Sequence, residues 1–482
     1  MIGIVVSRAD EASTQLGQQL RAVGEWTAHE DERRADGDGG GTYYTTAGFE
    51  LREFDTIHIE LDDPGAAFSD PEDLDFIVFV SRHAGDTGRL LTAHVTGNFG
   101  PAEYGGDAGS FARAAPGAHK TVVEALSEYA PDDYEVGIEC THHGPTACST
   151  PSMFVELGSG EEQWNDSEAA RAIAKAVLDL RGVAADHRPD GLEAPRHVVG
   201  FGGGHYTPRC ERIVTDTDWA VGHIGSDWQL DAMGDPAANR EVIEAAFEAS
   251  AAELAVVDGE KPDLERVIDD LGYRVVSETW LRTVGERPRT VVAAAETTLS
   301  AVADGVRFGE VAVDSDGDPN PTEAWTVVSL PDDLIAAANG IDADATLVAV
   351  TETTIAYETT EGATLPAGRA LVADTTDFDQ LIDRLAGLLV TDYESVEQTT
   401  EGVICRDTGF DPEKADTLGV PEGPKFGRLA AGETVTVNGR EITPESVESE
   451  RVERFTVDWP EADPAGQRAE TASDGRLTNG ER

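Results

Sequence analysis

Residues 139–146 read ECTHHGPT: a carboxylate, a thiol and two adjacent imidazoles, followed at once by Gly144-Pro145. Imidazole and carboxylate are the usual ligands of a catalytic zinc, which keeps one coordination position open for water. The same groups serve as general acids and bases. The spacing Glu139-x-x-His142 resembles a zinc-ligand spacing but lacks the helical HExxH pattern. On a straight strand His142 and His143 would point to opposite faces, whereas the Gly-Pro break predicts a loop in which both converge. A polar loop that happens to hold two histidines is the plain alternative.

Other polar residues close other apolar runs. Ser81, Arg82 and His83 follow FIVFV, and His94 sits in LLTAHVTGN, which closes at Gly97-Asn98. Glu156 ends SMFV, His205 follows GFGGG, and His223 ends WAVG. Ligands of open α/β sheets bind in the crevice outside the carboxyl ends of the strands. Strand ends that carry His or Glu this often predict one shared site. The candidate catalytic groups are Glu139, His142, Glu156 and His205. The candidate metal ligands are His83, His94, His142, His143 and His223, holding one or two Zn2+ ions that would activate water and polarise a carbonyl. Arg82, Asn98, Gly202, Gly203, Gly204 and Tyr206 are the candidate substrate or phosphate contacts. The stretch GFGGGHYTPR is not a dinucleotide fingerprint, because Tyr206-Thr207-Pro208 interrupts entry into the next helix. It reads either as an amide nest for a phosphate or oxyanion or as a tight turn needing positive φ.

The elements that must position these residues alternate. MIGIVVS, DTIHIEL (55–61), DFIVFVS, LLTAHVTGN, YEVGIEC, SMFVELGS, HVVGFGGG, WAVGHIG and AELAVVDG read as strands. Helices are expected over 10–23, 117–130, 166–181, 236–250 and 263–271. Such alternation implies an α/β fold, a mixed twisted sheet flanked by helices. All eleven histidines lie at or before His223, and the texture then changes. Residues 1–285 are expected to be the catalytic domain and 286–410 an acidic α+β extension, with turn clusters such as DSDGDPNP and a helix at 377–389. Residues 411–462 should form a small β-rich unit and 463–482 a disordered tail.

Composition narrows the setting. The 93 Asp and Glu against 36 Lys and Arg give a net charge of −57, with the acids spread through the chain. Apolar content of 40% and regular β-runs exclude a disordered acidic chain. A proteome adapted to multimolar salt explains the balance, since at 1 M charges are screened over about 3 Å. The acidity therefore does not exclude a nucleic-acid partner. No apolar run approaches the roughly 18 residues of a spanning helix, and MIGIVVS is too short for a signal peptide. A cytoplasmic protein with no membrane partner is expected. Cys140, Cys148, Cys210 and Cys405 form no CxxC pair and read as reduced thiols.

Four segments carry a family resemblance: SRHAG…LLTAHVTGNFGPAEYGG, YEVGIECTHHGPTACSTPSMFVELGSGEEQW, VVGFGGGHYTPR and WAVGHI. Together they resemble the archaeal and plant type of D-aminoacyl-tRNA deacylase, over roughly residues 1–280. The resemblance implies a cytosolic, zinc-dependent, monomeric hydrolase that removes D-amino acids from the acceptor end of mischarged tRNA, with no DNA partner. It also implies a fold related to peptidyl-tRNA hydrolases and carboxypeptidase-like proteins. The 29–42 loop and the C-terminal extension depart from the compact family pattern. Within the extension, GVPEGPKFGRLAAGETVTVNGREITPESV is similar to a segment near the end of the long-form tRNA 3′-processing endonucleases. Three alternatives stand beside the metal-water deacylase. They are substrate-assisted attack through the terminal ribose hydroxyl, a metal-dependent amidohydrolase or carboxypeptidase-like enzyme on small substrates, and a non-catalytic tRNA-binding module.

Overall fold

A computed structural model of the chain describes residues 1–189, 192, 194–311 and 325–460, and the backbone of Arg476–Thr478. The chain forms two compact units, Met1–Glu286 and Arg287–Arg482.

The first unit holds two sheets where the sequence suggested one. The larger contains β1 (Ile2–Ser7), β2 (Thr27–Asp31), β3 (Gly41–Thr46), β4 (Phe49–Phe54), β5 (Phe76–Arg82), β6 (Leu90–His94), β7 (Glu135–Ile138) and β8 (Ser152–Gly158). Their order is β2-β3-β4-β1-β5-β8-β6-β7. β1 runs parallel to β4 and β5, and β5 parallel to β8. β6 runs antiparallel to β8 and parallel to β7. The carboxyl ends of β6 and β7 therefore face the opposite way from those of β5 and β8, and no single row of strand ends exists. The second sheet, β9 (His197–Phe201), β10 (Ala220–Gly225), β11 (Leu254–Val257) and β12 (Arg274–Val275), is all parallel in the order β10-β9-β11-β12.

Unbroken apolar runs became strands buried on both faces, as covered parallel strands must be: all six residues of β1 and all five of β9 are buried. The covering helices are α1 (Glu11–Val23), α2 (Pro116–Tyr129), α3 (Glu161–Trp164), α4 (Ser167–Leu178), α5 (Pro208–Asp216), α6 (Asp227–Met233), α7 (Arg240–Ala249), α8 (Pro262–Asp270) and α9 (Glu278–Val284). α1 packs on α4, and α2 lies against both α4 and β10, joining the layers of the two sheets. None of the described helices is long and apolar enough to cross a membrane.

Two local readings change. DTIHIEL is not a strand: His58–Glu60 is a single 3-10 turn in which only His58 is buried. Conversely FELREF, which is not among the strands expected above, forms β4. Arg52 and Glu50 are both buried there because they neutralise each other at 2.6 Å, with Asp31 of β2 3.0 Å from Arg52.

The second unit is α+β. Strands Arg307–Phe308, Thr326–Ser329, Ala356–Thr360 and Leu365–Val372 make one antiparallel sheet. The helices Asp332–Ile341 and Thr375–Leu389 share its apolar core. Ser395–Thr399, Gly402–Phe410, Glu448–Thr456 and Arg476–Thr478 make another. That sheet spans the boundary expected at 410/411, and a small core of Val420, Leu429, Val435, Ile442 and Val447 sits within the connection. The DSDGDPNP cluster and, apart from 476–478, the 463–482 tail lie outside the described residues.

Candidate active site

The segment after β7 leaves the large sheet and crosses to the second. Glu139 N–H donates to Ala93 O of β6 at 3.3 Å, but Cys140 N–H donates to His205 O (2.8 Å) and Thr141 N–H to Ile224 O of β10 (2.9 Å). Further on, His143 O accepts from Gly97 N–H (2.9 Å), and Gly144 N–H donates to Tyr104 O (3.1 Å). The Gly144–Pro145 peptide is cis. Position 144 needs room: a Cβ there would lie 2.5 Å from the Gly106 nitrogen and 2.8 Å from Ile59 O. Freed from strand geometry, His142 and His143 present their rings to the same side, with centroids 4.5 Å apart.

Those rings join a cluster drawn from both sheets. His94 Nδ1 lies 3.1 Å from Val95 O, His142 Nδ1 2.8 Å from Cys140 O, and His143 Nδ1 2.6 Å from Gly144 O. A carbonyl can only accept, so each Nδ1 carries a proton, and in the neutral ring each Nε2 is left with its lone pair turned away from that carbonyl. One ring nitrogen from each of the three lies within 4.8 Å of the others. Glu156 Oε1 is 3.5 Å from His94 Nε2 and 3.8 Å from His143 Nε2. Glu139 Oε2 is 2.7 Å from His205 Nε2, 3.5 Å from His83 Nε2 and 3.9 Å from His142 Nε2. His94 Nε2 and Glu139 Oε1 are buried and make no hydrogen bond. His83 lies between Ser159 Oγ and Tyr206 OH, each 3.0 Å from one ring nitrogen.

Lone pairs and carboxylates facing one point repel unless a cation sits among them. Histidines whose second nitrogen is held by a carbonyl are the usual metal-ligating arrangement. The residues therefore fit a metal ion, with His94, His142 and His143 as one donor group and His83, Glu139 and His205 as another. Burial opposes charge on Glu139 and Glu156, but the imidazoles around them win and hold both carboxyls below the ordinary range. Burial, then the neighbouring His143 and His94, pushes His142 well below the usual imidazole value. Burial lowers His205 too, yet its hydrogen bonds to Cys140 and Glu139 raise it to about 10. Carboxylates held ionised thus stand beside an imidazole that favours its protonated form, a pairing suited to acid–base chemistry.

A cavity of about 620 Å³ opens onto the cluster, lined by Arg82, His83, Glu139, His142, His143, Glu156 and His205. Arg82 stacks its guanidinium on the Trp164 ring, 5.3 Å from the centroid. Asp10 and His58 also line this cavity and were not anticipated. Asp10, which caps α1, accepts from Ser81 Oγ and Arg82 N–H. A lone histidine inside a strand-like pattern gives no signal of its own.

Several expected contacts fall elsewhere. His223 is fully buried, with Nδ1 3.3 Å from Thr141 Oγ1 and Nε2 3.0 Å from Ala112 O. Both nitrogens are engaged, burial pushes it down to about 3, and it joins none of the donor groups. It supports the backbone before His142. Gly202 and Gly203 have φ of 96° and 82°, and the Gly202 N–H donates to Gly225 O. These glycines, with Gly204, line neither cavity of the site and make the turn after β9. Asn98, by contrast, lines a cavity of about 220 Å³ beside His142; it is buried and spends its amide on Gly105 O and Asp107 O, which shapes the 100–107 loop. Cys140, Cys148, Cys210 and Cys405 are free thiols and buried.

Three comparisons bear on this geometry. A family model described as D-aminoacyl-tRNA deacylase matches residues 70–276. A D-aminoacyl-tRNA deacylase of Halorubrum lacusprofundi is 54% identical over 95% of this chain and 97% of its own. One of Natronomonas pharaonis is 51% identical over 94% and 100%, and one of Haloarcula marismortui 48% over 95% and 100%. Among solved structures, a conserved protein of unknown function is similar at 28% identity with a TM-score of 0.51. That alignment covers 96% of its chain and 58% of this one.

Proposed function

The chain belongs to the D-aminoacyl-tRNA deacylase family, and from that premise we propose that its cleft hydrolyses the ester joining a D-amino acid to the 3′ end of tRNA. The observation that carries the site is the convergence of ring nitrogens of His94, His142 and His143 with the buried carboxylates Glu139 and Glu156 beside a cavity of about 620 Å³.

Zinc is the metal we assign, held by His94, His142 and His143 with Glu156, and a second ion suits His83, Glu139 and His205; bound there it would supply Lewis acidity to the ester carbonyl and the attacking water. The chain's own groups supply the rest. Glu139 offers the unpartnered Oε1 as acceptor for the water proton. With one ion held at His94, His142 and His143, His205 keeps the proton that its contacts with Cys140 and Glu139 favour and donates it to the departing ribose oxygen; a second ion on His205 would take the place of that proton. Glu156, 3.5 Å from His94 Nε2 and 3.8 Å from His143 Nε2, adds its charge to that donor set, and Arg82 offers its guanidinium to a phosphate or carboxylate at the cavity wall. The charge of −57 and relatives from halophilic archaea support work in a salt-rich cytoplasm, where we expect the chain to act as a monomer.

The test is release of D- and L-amino acids from aminoacyl-tRNA in concentrated KCl, with bound metal measured on the same sample. Turnover of the D-form with zinc present is the expected result. A folded, metal-replete protein that leaves D-aminoacyl-tRNA intact would sink the reading.

A further inference from the structure

We infer that Tyr104 and Trp228 form a stacking site for the terminal purine base of the tRNA 3′ end, a contact that rests on the deacylase reading and goes beyond the cluster itself. Both are large aromatic side chains left in solvent, 59% and 46% exposed, whereas every other Phe, Tyr and Trp among the described residues is buried or half-buried. Both line the 620 Å³ cavity over the cluster and an adjoining cavity of about 220 Å³, which also touches His142.

Their exposure does not come from slack chain. The 100–107 loop that carries Tyr104 is pinned at several points. Asn98 donates to Gly105 O and Asp107 O, Asp107 N–H donates to Thr146 Oγ1, and Tyr104 O itself accepts from Gly144 N–H. Trp228 stands in the first turn of α6, where Ser226 and Gln229 form a capping box. The Gln229 amide donates to Thr141 O. One ring is therefore tied to the backbone on each side of the His142-His143 pair, Trp228 through Thr141 and Tyr104 through Gly144. The same eight-residue segment that aims the imidazoles also fixes the two rings relative to them. A pinned loop and a capped helix that turn apolar faces to water are a structure built to receive a flat, partly apolar group.

Charge narrows the occupant. With a net charge of −57 the surface repels a polyanion at low salt, and in concentrated salt the counterion-driven part of nucleic-acid binding is lost. Stacking of an unpaired base on an aromatic face survives both conditions, and single-stranded RNA ends are commonly held this way. A base seated there would leave its 3′ ester beside His142.

Two unhydrolysable ligands separate the possibilities: 3′-(D-alanylamino)-3′-deoxyadenosine, and the same D-alanyl amide on a base-free ribose. Their Kd values are measured by calorimetry on full-length protein in concentrated KCl. Trp228→Ala and Tyr104→Ala should each weaken the adenosine ligand on the order of tenfold, while Trp228→Phe and Tyr104→Phe stay near wild type. None of the four should alter binding of the base-free amide, and circular dichroism should stay unchanged. Alanine variants that bind the adenosine ligand as wild type does overturn the site, as does an equal loss for both ligands, which would place the rings against the amino acid. If wild type hydrolyses D-aminoacyl-tRNA yet binds both ligands equally, the stacking site alone is wrong. If it neither hydrolyses nor binds, the deacylase reading falls with it.

Discussion

His142, half-buried, and His223, fully buried, are both imidazoles near strand ends, and what separates them is where their nitrogens go. His142 gives Nδ1 to a carbonyl and turns Nε2 to Glu139, whereas His223 has both nitrogens taken by Thr141 and Ala112. Their alanine variants should therefore fail differently. His142→Ala should cut single-turnover deacylation by at least ~10²-fold, the usual worth of an acid–base or ligand group, and should lower bound metal measured by mass spectrometry, with little change in melting. His223→Ala should retain bound metal but lose stability of about 1–3 kcal/mol in urea titrations, because it strands the partners of a buried polar group. Equal metal content in wild type and His142→Ala would remove His142 from the ligand set.

At the scale of elements, the segment after β7 and the strand β9 each impose a condition. Gly144→Ala must push a Cβ against the Gly106 nitrogen, 2.5 Å away. Displacing the segment by about 1 Å is enough for a ~10²-fold loss of rate, so kcat should fall while the fold persists. A Gly144→Ala enzyme with wild-type kcat would show that this turn does not aim the imidazoles. On β9, His197 accepts from His187 N–H at 2.8 Å and lies 2.9 Å from Ser250 O through Nδ1. That pairing demands the neutral ring, and burial pushes it down to about 4 from the ordinary 6.5. Between those values the unfolded chain binds a proton that the native one refuses. The stabilisation is then complete above pH 6.5 and is lost as pH falls toward 4, at about 1.4 kcal/mol per pH unit. His197→Gln should flatten that fall in denaturant titrations run across the window. An unchanged slope would show that His197 does not set it.

For the molecule as a whole, the charge and the two units make separate predictions. A net charge of −57 repels itself over about 10 Å at 0.1 M salt but over only about 3 Å at 1 M. The melting temperature should fall steadily as KCl is diluted below 1 M and recover on restoring it; a Tm independent of salt would reject self-repulsion as the cause. Every histidine lies in Met1–Glu286, so a truncation ending at Glu286 should keep D-aminoacyl-tRNA hydrolysis in high salt. A folded, monodisperse truncation without turnover would assign the second unit a part in docking tRNA.

The sequence by itself determined the α/β class of the first unit, because unbroken apolar runs such as IGIVV bury as strands and amphipathic stretches such as 167–178 bury as helices. It also determined which residue types could do chemistry, and seven of the fourteen named, Arg82, His83, Glu139, His142, His143, Glu156 and His205, line one cavity. Direction and partnership were decided only by tertiary structure. That β6 runs antiparallel to β8 is not written in LLTAH, since a strand's apolar pattern is the same in either direction. That Arg52 and Glu50 are core residues depends on each having the other within reach. His142 and His223 differ in role only through the atoms that occupy their second nitrogens, and the prominence of Tyr104 and Trp228 lies in being left uncovered. Local pattern records what a residue can bury or donate, but which atoms stand opposite it is set by the packing of distant segments.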